Sequence, residues 1–150
     1  MKRKKILFVC TGNTCRSPMA EMILRAKIKK RKIKWWDVGS CGVHAQLGGD
    51  MAGNAKLALA EAGYAVKPKF APRQLTQKLI DGSTLVVTMS ERHRQMLEGC
   101  GRVICISRFC GREVPDPFGG DAEIYRLTRD MLESACDKII DEFILNYKDS

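Results

Sequence analysis

Apolar residues follow two different spacings along this chain. Strands are predicted where β-branched and other apolar residues run together, at Lys5–Val9, Trp35–Val38, Leu85–Thr88 and Val103–Ile106. Helices are predicted where apolar residues recur at spacings of three and four, at Ser17–Lys32, Asn54–Ala62, Leu75–Ile80, Glu91–Leu97 and Ala122–Tyr147. Such alternation favours a parallel sheet covered on both faces. We therefore predict an α/β fold over residues 1–150, a single-domain doubly wound four-stranded parallel sheet flanked by helices.

The ends and faces of two helices can be predicted in more detail. Ser17 is the expected N-cap of the first helix, and Pro18 suits its first helical position. In the last helix, the residues expected to face the core share one side of the helical repeat: Ile124, Leu127, Met131, Ala135, Ile139 and Phe143.

The junction between the first strand and the first helix carries the most specific chemical pattern. Its eight residues are Cys10-Thr11-Gly12-Asn13-Thr14-Cys15-Arg16-Ser17. Backbone amides in such a loop, together with the helix N-terminus, favour an anion. Arg16 can bind two oxygens of a phosphoryl group at once, and a thiolate at Cys10 can attack the phosphorus. A cysteine and an arginine at this spacing are a weak pattern alone, but between a strand and a helix they predict a phosphoryl-transfer site.

The remaining residues of this loop are expected to shape it around the anion. Gly12 lets the backbone approach the anion closely. Asn13 tolerates left-handed backbone and can tie the loop together through its side chain. Ser17 can donate its hydroxyl to the thiolate of Cys10. Further backbone N–H groups are offered by Thr11, Thr14 and Cys15.

A second loop supplies the proton donor that the reaction needs. Displacing an alkoxide or an amine from phosphorus requires a general acid. Asp116 lies between Pro115 and Pro117, which restrict its backbone. Alone, this is an ordinary turn. Beside the Cys10 loop, it predicts a catalytic carboxyl group.

Composition indicates an ordinary globular protein with a basic surface. Hydrophobic residues make up 45% of the chain and charged residues 29%, with a formal net charge of +9. No apolar run approaches the roughly 18 residues that span a membrane, so no membrane association is expected. The basic start at Lys2–Lys5 precedes too short an apolar run for a secretory signal, which predicts a cytoplasmic protein.

The cysteines support a reducing compartment. Their number, seven, is odd, and they lack the spacing of a disulfide-rich scaffold. Cys100, Cys105 and Cys110 are evenly spaced, but neither His44 nor His93 stands at zinc-motif spacing. Buried thiols are therefore favoured over a metal site, and no cofactor is expected.

A basic segment over residues 25–34 permits two interpretations. It could contact nucleic acid, but only Trp35 and Trp36 accompany it as aromatic residues. The favoured interpretation is a solvated helix end, where cations are stabilised by the helix dipole. No nucleic-acid partner is expected, and the basic surface can steer phosphorylated substrates instead.

These motifs resemble the low-molecular-weight phosphatase family, and the resemblance covers nearly the whole chain. It includes the segment from Cys10 to Glu21, the turn at Ser40–Val43, the strand Leu85–Ser90 and the acid loop at Asp116-Pro117. The resemblance implies the phosphotyrosine phosphatase I-like fold, a cysteinyl-phosphate intermediate and no metal. The expected partners are phosphorylated protein substrates, and a monomer is expected.

The resemblance also implies individual roles. Cys10 is the nucleophile, Arg16 the transition-state clamp, and Asp116 the general acid and then base. Ser17 stabilises the thiolate, and Asn13 organises the loop. Cys15 matches a cysteine that can form a reversible disulfide with the nucleophile and protect it from overoxidation.

Two positions bear on which phosphorylated residue is the substrate. Tyrosine phosphatases of this group usually carry a branched aliphatic residue after the nucleophile and an aromatic pair after Asp-Pro. Here these positions are Thr11 and Phe118-Gly119-Gly120, which is similar to bacterial protein arginine phosphatases. A hydroxyl suits a polar guanidinium leaving group, and loss of one aromatic weakens stacking on a phenyl ring. Phosphoarginine is the predicted substrate and phosphotyrosine the alternative, because Phe118 can still flank a tyrosine ring.

Two further functions are weighed against these. An arsenate reductase shares the oxyanion loop but needs redox cysteines after the third strand, where Thr88–Glu91 has none. A non-catalytic phosphate-binding or nucleic-acid-binding module would keep the loop and the basic helix. It would not explain why Cys10 and Asp116 are both present.

Overall fold

Four parallel strands form a single sheet in the computed structural model, which describes residues 2–148. The strands are β1 (Lys4–Cys10), β2 (Trp36–Gly42), β3 (Leu85–Thr88) and β4 (Val103–Cys105), in the order β2-β1-β3-β4. The order reverses at β1, which pairs with β2 on one side and with β3 on the other. Ligands of such sheets bind beyond the carboxyl ends of the strands at this reversal. The Cys10 loop follows β1 and lies there.

Helices cover both faces of the sheet. They are α1 (Arg16–Lys30), α2 (Gly53–Glu61), α3 (Gln77–Asp81), α4 (Glu91–Met96), α5 (Ser107–Cys110) and α6 (Ala122–Lys138), and a π-helical segment over Ile139–Ile144 continues α6. Side chains of β1 alternate between two cores: Ile6 and Phe8 belong to the larger core, and Leu7 and Val9 belong to the smaller one. This confirms the predicted doubly wound architecture.

The start of α1 differs from the prediction. The helix begins at Arg16, with Cys15 as its N-cap and no side-chain capping bond. Ser17 is therefore inside the helix and is not the N-cap, and Pro18 is its third residue instead of its first. The reason is chemical, because the Ser17 hydroxyl is used by the side chains of Cys10 and Asn13.

The second strand is longer than predicted, and one short helix was not predicted. β2 continues past Val38 to Gly42 because it pairs with β1 along its whole length, with Gly42 opposite Cys10. Gly39 and Gly42 weaken the strand signal in the sequence, yet cross-strand pairing keeps them extended. The helix α5 follows β4 directly, with Gly111 in left-handed backbone at its end.

The core-facing side of the last helix was partly mispredicted. Ile124 and Leu127 are 43% and 52% exposed, whereas Ala135 and Ile139 are fully buried as expected. Met131 and Phe143 are partly buried. The residues of α6 that are buried lie mostly one position further along: Tyr125, Thr128, Leu132, Ala135 and Cys136. The α-helical repeat also ends at Lys138, where the wider π-helical turn changes which side chains face inward.

The basic segment at the end of α1 contacts the last helix. Lys27 pairs with Asp137 at 2.9 Å, and Arg31 pairs with Asp141 at 3.0 Å. Some of its positive charge is therefore neutralised within the fold. Among residues 2–148, no helix is both long enough and apolar enough to cross a membrane.

Candidate active site

The backbone of the loop after β1, residues 11–15, is held through its carbonyl oxygens. The carbonyl oxygens of Cys10, Thr11, Gly12 and Thr14 accept hydrogen bonds of 2.9–3.0 Å from backbone N–H groups of the segment 43–52. The amides of residues 11–15 donate no hydrogen bond within the part of the chain that the structure describes. We call this segment, with Cys10, Arg16 and Ser17, the phosphate loop. Free amides beside a helix N-terminus suit a tetrahedral anion.

The sulfur of Cys10 lies at the base of this loop. Cys10 is 2% exposed, and its Sγ is 2.8 Å from Oγ of Ser17. Nδ2 of Asn13 donates to the same Ser17 oxygen at 2.8 Å. The Ser17 hydroxyl can then donate its proton to a thiolate. This places Ser17 and Asn13 where the sequence predicts them to act on Cys10.

Asn13 holds the loop in an unusual conformation. Its φ is 58°, in the left-handed region that asparagine tolerates. Its side chain is fully buried and fully used: Nδ2 also donates to Oγ of Ser40 at 3.0 Å, and Oδ1 accepts the backbone N–H of Arg73 at 2.8 Å. Ser40 donates in turn to Oε1 of the buried Glu21 at 2.7 Å. A connected polar network thus extends from Cys10 to Glu21.

Arg16 is buried, and it lines the cavity of the phosphate loop. Nη1 donates to the carbonyl oxygen of Val114 at 3.1 Å, which anchors the side chain. Nη2 lies 3.5 Å from Oγ1 of Thr11 and 3.9 Å from Oδ2 of Asp116. Arg16 therefore joins the phosphate loop to the predicted acid loop.

Asp116 and Phe118 line the cavity beside the phosphate loop. The cavity has a volume of about 180 Å³, and its lining also includes Cys10 and Arg16. Oδ1 of Asp116 accepts the backbone N–H of Phe118 at 3.1 Å, which orients the carboxylate. Phe118 is 79% exposed, so its ring is free to contact a substrate. Gln46 also lines the cavity and was not predicted from the sequence.

The backbone of the phosphate loop packs closely against Gly42. The space around Gly12, within the loop, is less tight. A Cβ atom on Gly42 would lie 2.5 Å from the carbonyl oxygen of Thr11 and 3.0 Å from the amide nitrogen of Asn13. A Cβ atom on Gly12 would meet only side chains, the nearest being Cγ of Gln46 at 3.3 Å. Any side chain at Gly42 would therefore displace the loop backbone.

His93 is a site residue that sequence reasoning missed. Its Nε2 lies 3.0 Å from Oγ1 of Thr11, and its Nδ1 lies 2.8 Å from Oγ of Ser90. Burial and then the positive charge of Arg16 lower the pKa of His93, which favours the neutral imidazole. A histidine after the third strand was visible in the sequence, but nothing there connected it with Thr11.

Cys15 is buried at the end of the loop and lines the same cavity as Cys10. Its Sγ is 3.2 Å from the hydroxyl of Tyr125 and 3.7 Å from Oγ1 of Thr14. Burial raises the pKa of the Cys15 thiol, so the neutral form is favoured. Cys10 and Cys15 are both free thiols in this structure. No group of three metal-ligating side chains is close enough to hold an ion within residues 2–148.

Comparison with known proteins identifies the family of this chain. The sequence profile of the low molecular weight phosphotyrosine protein phosphatase family matches residues 5–148. The chain therefore belongs to this family, and it is a cysteine-dependent phosphatase that acts on phosphorylated proteins.

Individual relatives are similar over most of their length. The chain is 36% identical over 146 residues to the protein-arginine-phosphatase of Geobacillus stearothermophilus, which covers 92% of this chain and 95% of that protein. It is 39% identical over 136 residues to the protein-arginine-phosphatase of Bacillus subtilis, and the match covers 85% of this chain and 89% of that protein. The crystal structure of a low molecular weight protein tyrosine phosphatase from T. tengcongensis superimposes with a TM-score of 0.86 at 35% identity, covering 93% of this chain and 99% of that one.

Proposed function

We propose that this protein hydrolyses phosphoarginine in proteins, with Cys10 as nucleophile. The observation that carries the substrate assignment is the position of Thr11. Its hydroxyl lies between the buried Arg16 and the ring of His93, and its side chain lines the cavity next to Cys10. A polar wall at this point suits a guanidinium leaving group better than a phenyl ring. The names of the Geobacillus and Bacillus relatives support the same substrate.

The first chemical step transfers the phosphoryl group to sulfur. Sγ of Cys10 attacks phosphorus, the P–N bond breaks, and the released guanidino nitrogen takes a proton from Asp116. The amides of the phosphate loop and the guanidinium of Arg16 bind the phosphoryl oxygens as their charge develops. The products of this step are free arginine side chain and cysteinyl phosphate.

The second step returns the enzyme to its starting state. Asp116, now ionised, accepts a proton from a water molecule, whose oxygen attacks phosphorus. The P–S bond breaks, and sulfur leaves as a thiolate that the Ser17 hydroxyl stabilises by its hydrogen bond. Inorganic phosphate then leaves the cavity, and no metal or cofactor takes part in this scheme.

Phosphotyrosine is the second candidate substrate, and one observation favours it. The ring of Phe118 is exposed at the mouth of the cavity and can stack against a tyrosine ring. The relative from T. tengcongensis is named for this activity. Against it, Gly119 and Gly120 follow Phe118, so a second aromatic wall is missing from this loop.

We further propose that residues 1–150 act as one monomeric phosphatase domain in the cytoplasm. Five of the seven cysteines are buried as free thiols, which a reducing compartment preserves: Cys10, Cys15, Cys41, Cys105 and Cys136. Light scattering coupled to size-exclusion chromatography tests the oligomeric state. A stable dimer at micromolar concentration would contradict the monomer.

The substrate is tested by assaying matched phosphoarginine and phosphotyrosine peptides side by side. The wild-type protein is expected to have the higher kcat/KM on phosphoarginine, and Cys10→Ser to be inactive on both. Thr11→Ile is expected to reverse the preference, whereas Thr11→Ser, which keeps the hydroxyl, retains it. Equal or better phosphoarginine turnover by Thr11→Ile, or a wild-type preference for phosphotyrosine, would contradict the proposal.

A further inference from the structure

A second cavity lies beside the edge strand β2. It has a volume of about 730 Å³, in the range typical of small-molecule sites, and it shares no lining residue with the cavity of the phosphate loop. We call it the β2 cavity. Its lining includes five basic and two acidic side chains: Lys5, Arg25, Lys67, Lys69, Arg73, Glu21 and Asp37. The β2 cavity is therefore positively charged.

Its acidic residues are already engaged by other cations. The carboxylate of Glu21 is 4% exposed and lies 3.0 Å from Nη2 of Arg25 and 3.2 Å from Nζ of Lys67. Asp37 pairs with Arg3 at 3.5 Å and with Arg25 at 3.9 Å. The Nε atom of Arg25 is buried without a hydrogen-bond partner among the described residues. The other three cations in the cavity wall, Lys5, Lys69 and Arg73, make no ion pair with these acids.

Two of these cations, Lys5 and Arg73, converge over Gly39. Nζ of Lys5 and Nη2 of Arg73 lie 3.1 Å and 3.0 Å from the point that a Cβ atom on Gly39 would occupy. Neither side chain makes an ion pair within residues 2–148. Burial, and then the charge of Arg73, lower the pKa of Lys5, and the more distant charges of Asp37 and Glu21 offset only part of this effect. An anion bound between the two tips would supply the missing charge.

We propose that the β2 cavity binds a small phosphate monoester, whose phosphate lies between Lys5 and Arg73. A phosphate monoester carries close to two negative charges at neutral pH and offers three acceptor oxygens. The guanidinium of Arg73 can take two of them, and the ammonium of Lys5 can take the third. The cavity is larger than a phosphate group, and Phe70 and Pro68 in its wall provide apolar surface for the organic part of the ligand.

This site is connected to the phosphate loop through the backbone of Arg73. The Arg73 N–H donates to Oδ1 of Asn13 at 2.8 Å, and its carbonyl oxygen accepts the N–H of Gly42 at 2.9 Å. Asn13 in turn bonds to Ser17, the partner of Cys10. A ligand that fixes the Arg73 side chain therefore acts on a segment that holds two residues of the loop. Occupancy of the β2 cavity is a means of regulating the phosphatase.

Titration of the Cys10→Ser protein with ribose 5-phosphate, followed by amide NMR, tests the proposal. The amides of Gly39 and Arg73 are expected to shift with a saturable curve, and those of Asn13 and Gly42 to follow with the same midpoint. Ribose, which lacks the phosphate, is expected to cause no shift. The Arg16 amide reports separately on any binding to the phosphate loop.

Variants then assign the binding to the two cations. Lys5→Met removes one charge-assisted contact and is expected to weaken the Gly39 curve about tenfold, without changing the Arg16 curve. Lys30→Met removes an exposed charge elsewhere and is expected to change neither curve. Arg73→Gln, which keeps the backbone bond to Asn13, gives the same test if Lys5→Met does not fold.

Three results would overturn the proposal: no shift at Gly39, a Gly39 curve that coincides with the Arg16 curve and ignores Lys5→Met, or no response of Asn13 and Gly42. The binding experiment uses a protein without its nucleophile. Its outcome is therefore independent of whether phosphoarginine is the substrate.

Discussion

Oγ1 of Thr11 and Nε2 of His93 lie 3.0 Å apart, although 82 positions separate the two residues in the chain. The contact joins the phosphate loop, which follows β1, to the helix α4, which follows β3. The second ring nitrogen of His93 is held by Ser90, so the ring orientation is fixed from both sides. The protonation state of His93 therefore affects the hydrogen bond of Thr11, the residue to which we assign substrate choice.

The pH dependence of stability should report on His93. Burial and Arg16 lower its pKa below the ordinary value of 6.5, so the folded state resists protonation that the unfolded state accepts. The contribution of neutral His93 to the free energy of unfolding is complete above pH 6.5. It is expected to be lost as the pH falls from 6.5 through the lowered pKa. Urea unfolding at a series of pH values measures this loss. His93→Gln should flatten the dependence of the free energy of unfolding on pH. His44→Gln, the same substitution at an exposed histidine, is the control and should not flatten it. Equal slopes in the wild-type protein and both variants would contradict the role of His93.

Removing the Ser17 hydroxyl should slow catalysis while the fold persists. The hydroxyl contacts Cys10 at 2.8 Å, and a hydrogen bond to a charged group contributes about 1.5–3 kcal/mol. Ser17→Ala is therefore expected to lower kcat by about 10- to 100-fold. Ser83→Ala, which removes a serine hydroxyl remote from the site, serves as the control. An unchanged kcat in Ser17→Ala would show that the contact does not support the nucleophile.

Asp116→Asn should reduce turnover in a way that depends on the leaving group. General acid catalysis contributes typically 10²- to 10⁴-fold, so kcat/KM on a phosphopeptide is expected to fall within about that range. From an aryl phosphate with a strongly acidic phenol, the phenolate leaves without protonation. Its kcat/KM should fall much less, because this ratio does not include the second step, in which Asp116 acts as base. Asp130→Asn, on the exposed surface, is the matched control. A uniform loss on both substrates would argue for a structural role.

Gly42→Ala should damage the phosphate loop from behind. The added methyl group would lie 2.5 Å from the Thr11 carbonyl oxygen, and the neighbouring atoms are backbone that cannot turn aside. We expect a loss of about 1–3 kcal/mol in the free energy of unfolding, together with a lower kcat. Gly53→Ala, where no atom lies within 4 Å, is the control and should be neutral or stabilising. If Gly42→Ala matches the wild-type protein in both measurements, the close packing is not required.

The parts of this site that were predictable from sequence are the local ones. The phosphate loop from Cys10 to Ser17 is continuous in the chain, and its residue types match the chemistry of an anion directly. The contact of His93 with Thr11 and the packing of Gly42 behind the loop depend on which strands are neighbours and in what register. Neither is encoded in the spacing of residues within one segment.

The errors in the helices have a similar cause. Ser17 has the residue type of an N-cap, but its hydroxyl is bound inside the site, and Cys15 takes that position. Ile124 and Leu127 fit the apolar spacing of α6, yet they are exposed because Tyr125 and Thr128 face the core. A sequence pattern identifies a helix, whereas tertiary contacts decide its exact phase.

The central claim is that the sulfur of Cys10 receives the phosphoryl group. Rapid acid quench during turnover of a phosphoarginine peptide, followed by mass spectrometry of the digested protein, measures this directly. The account predicts transient phosphate on the peptide that contains Cys10. In Asp116→Asn its occupancy is expected to rise when the substrate is an aryl phosphate whose leaving group needs no proton, because only hydrolysis of the intermediate is then slowed. Phosphate on another residue, or full turnover by Cys10→Ser with no phosphorylated intermediate, would contradict it.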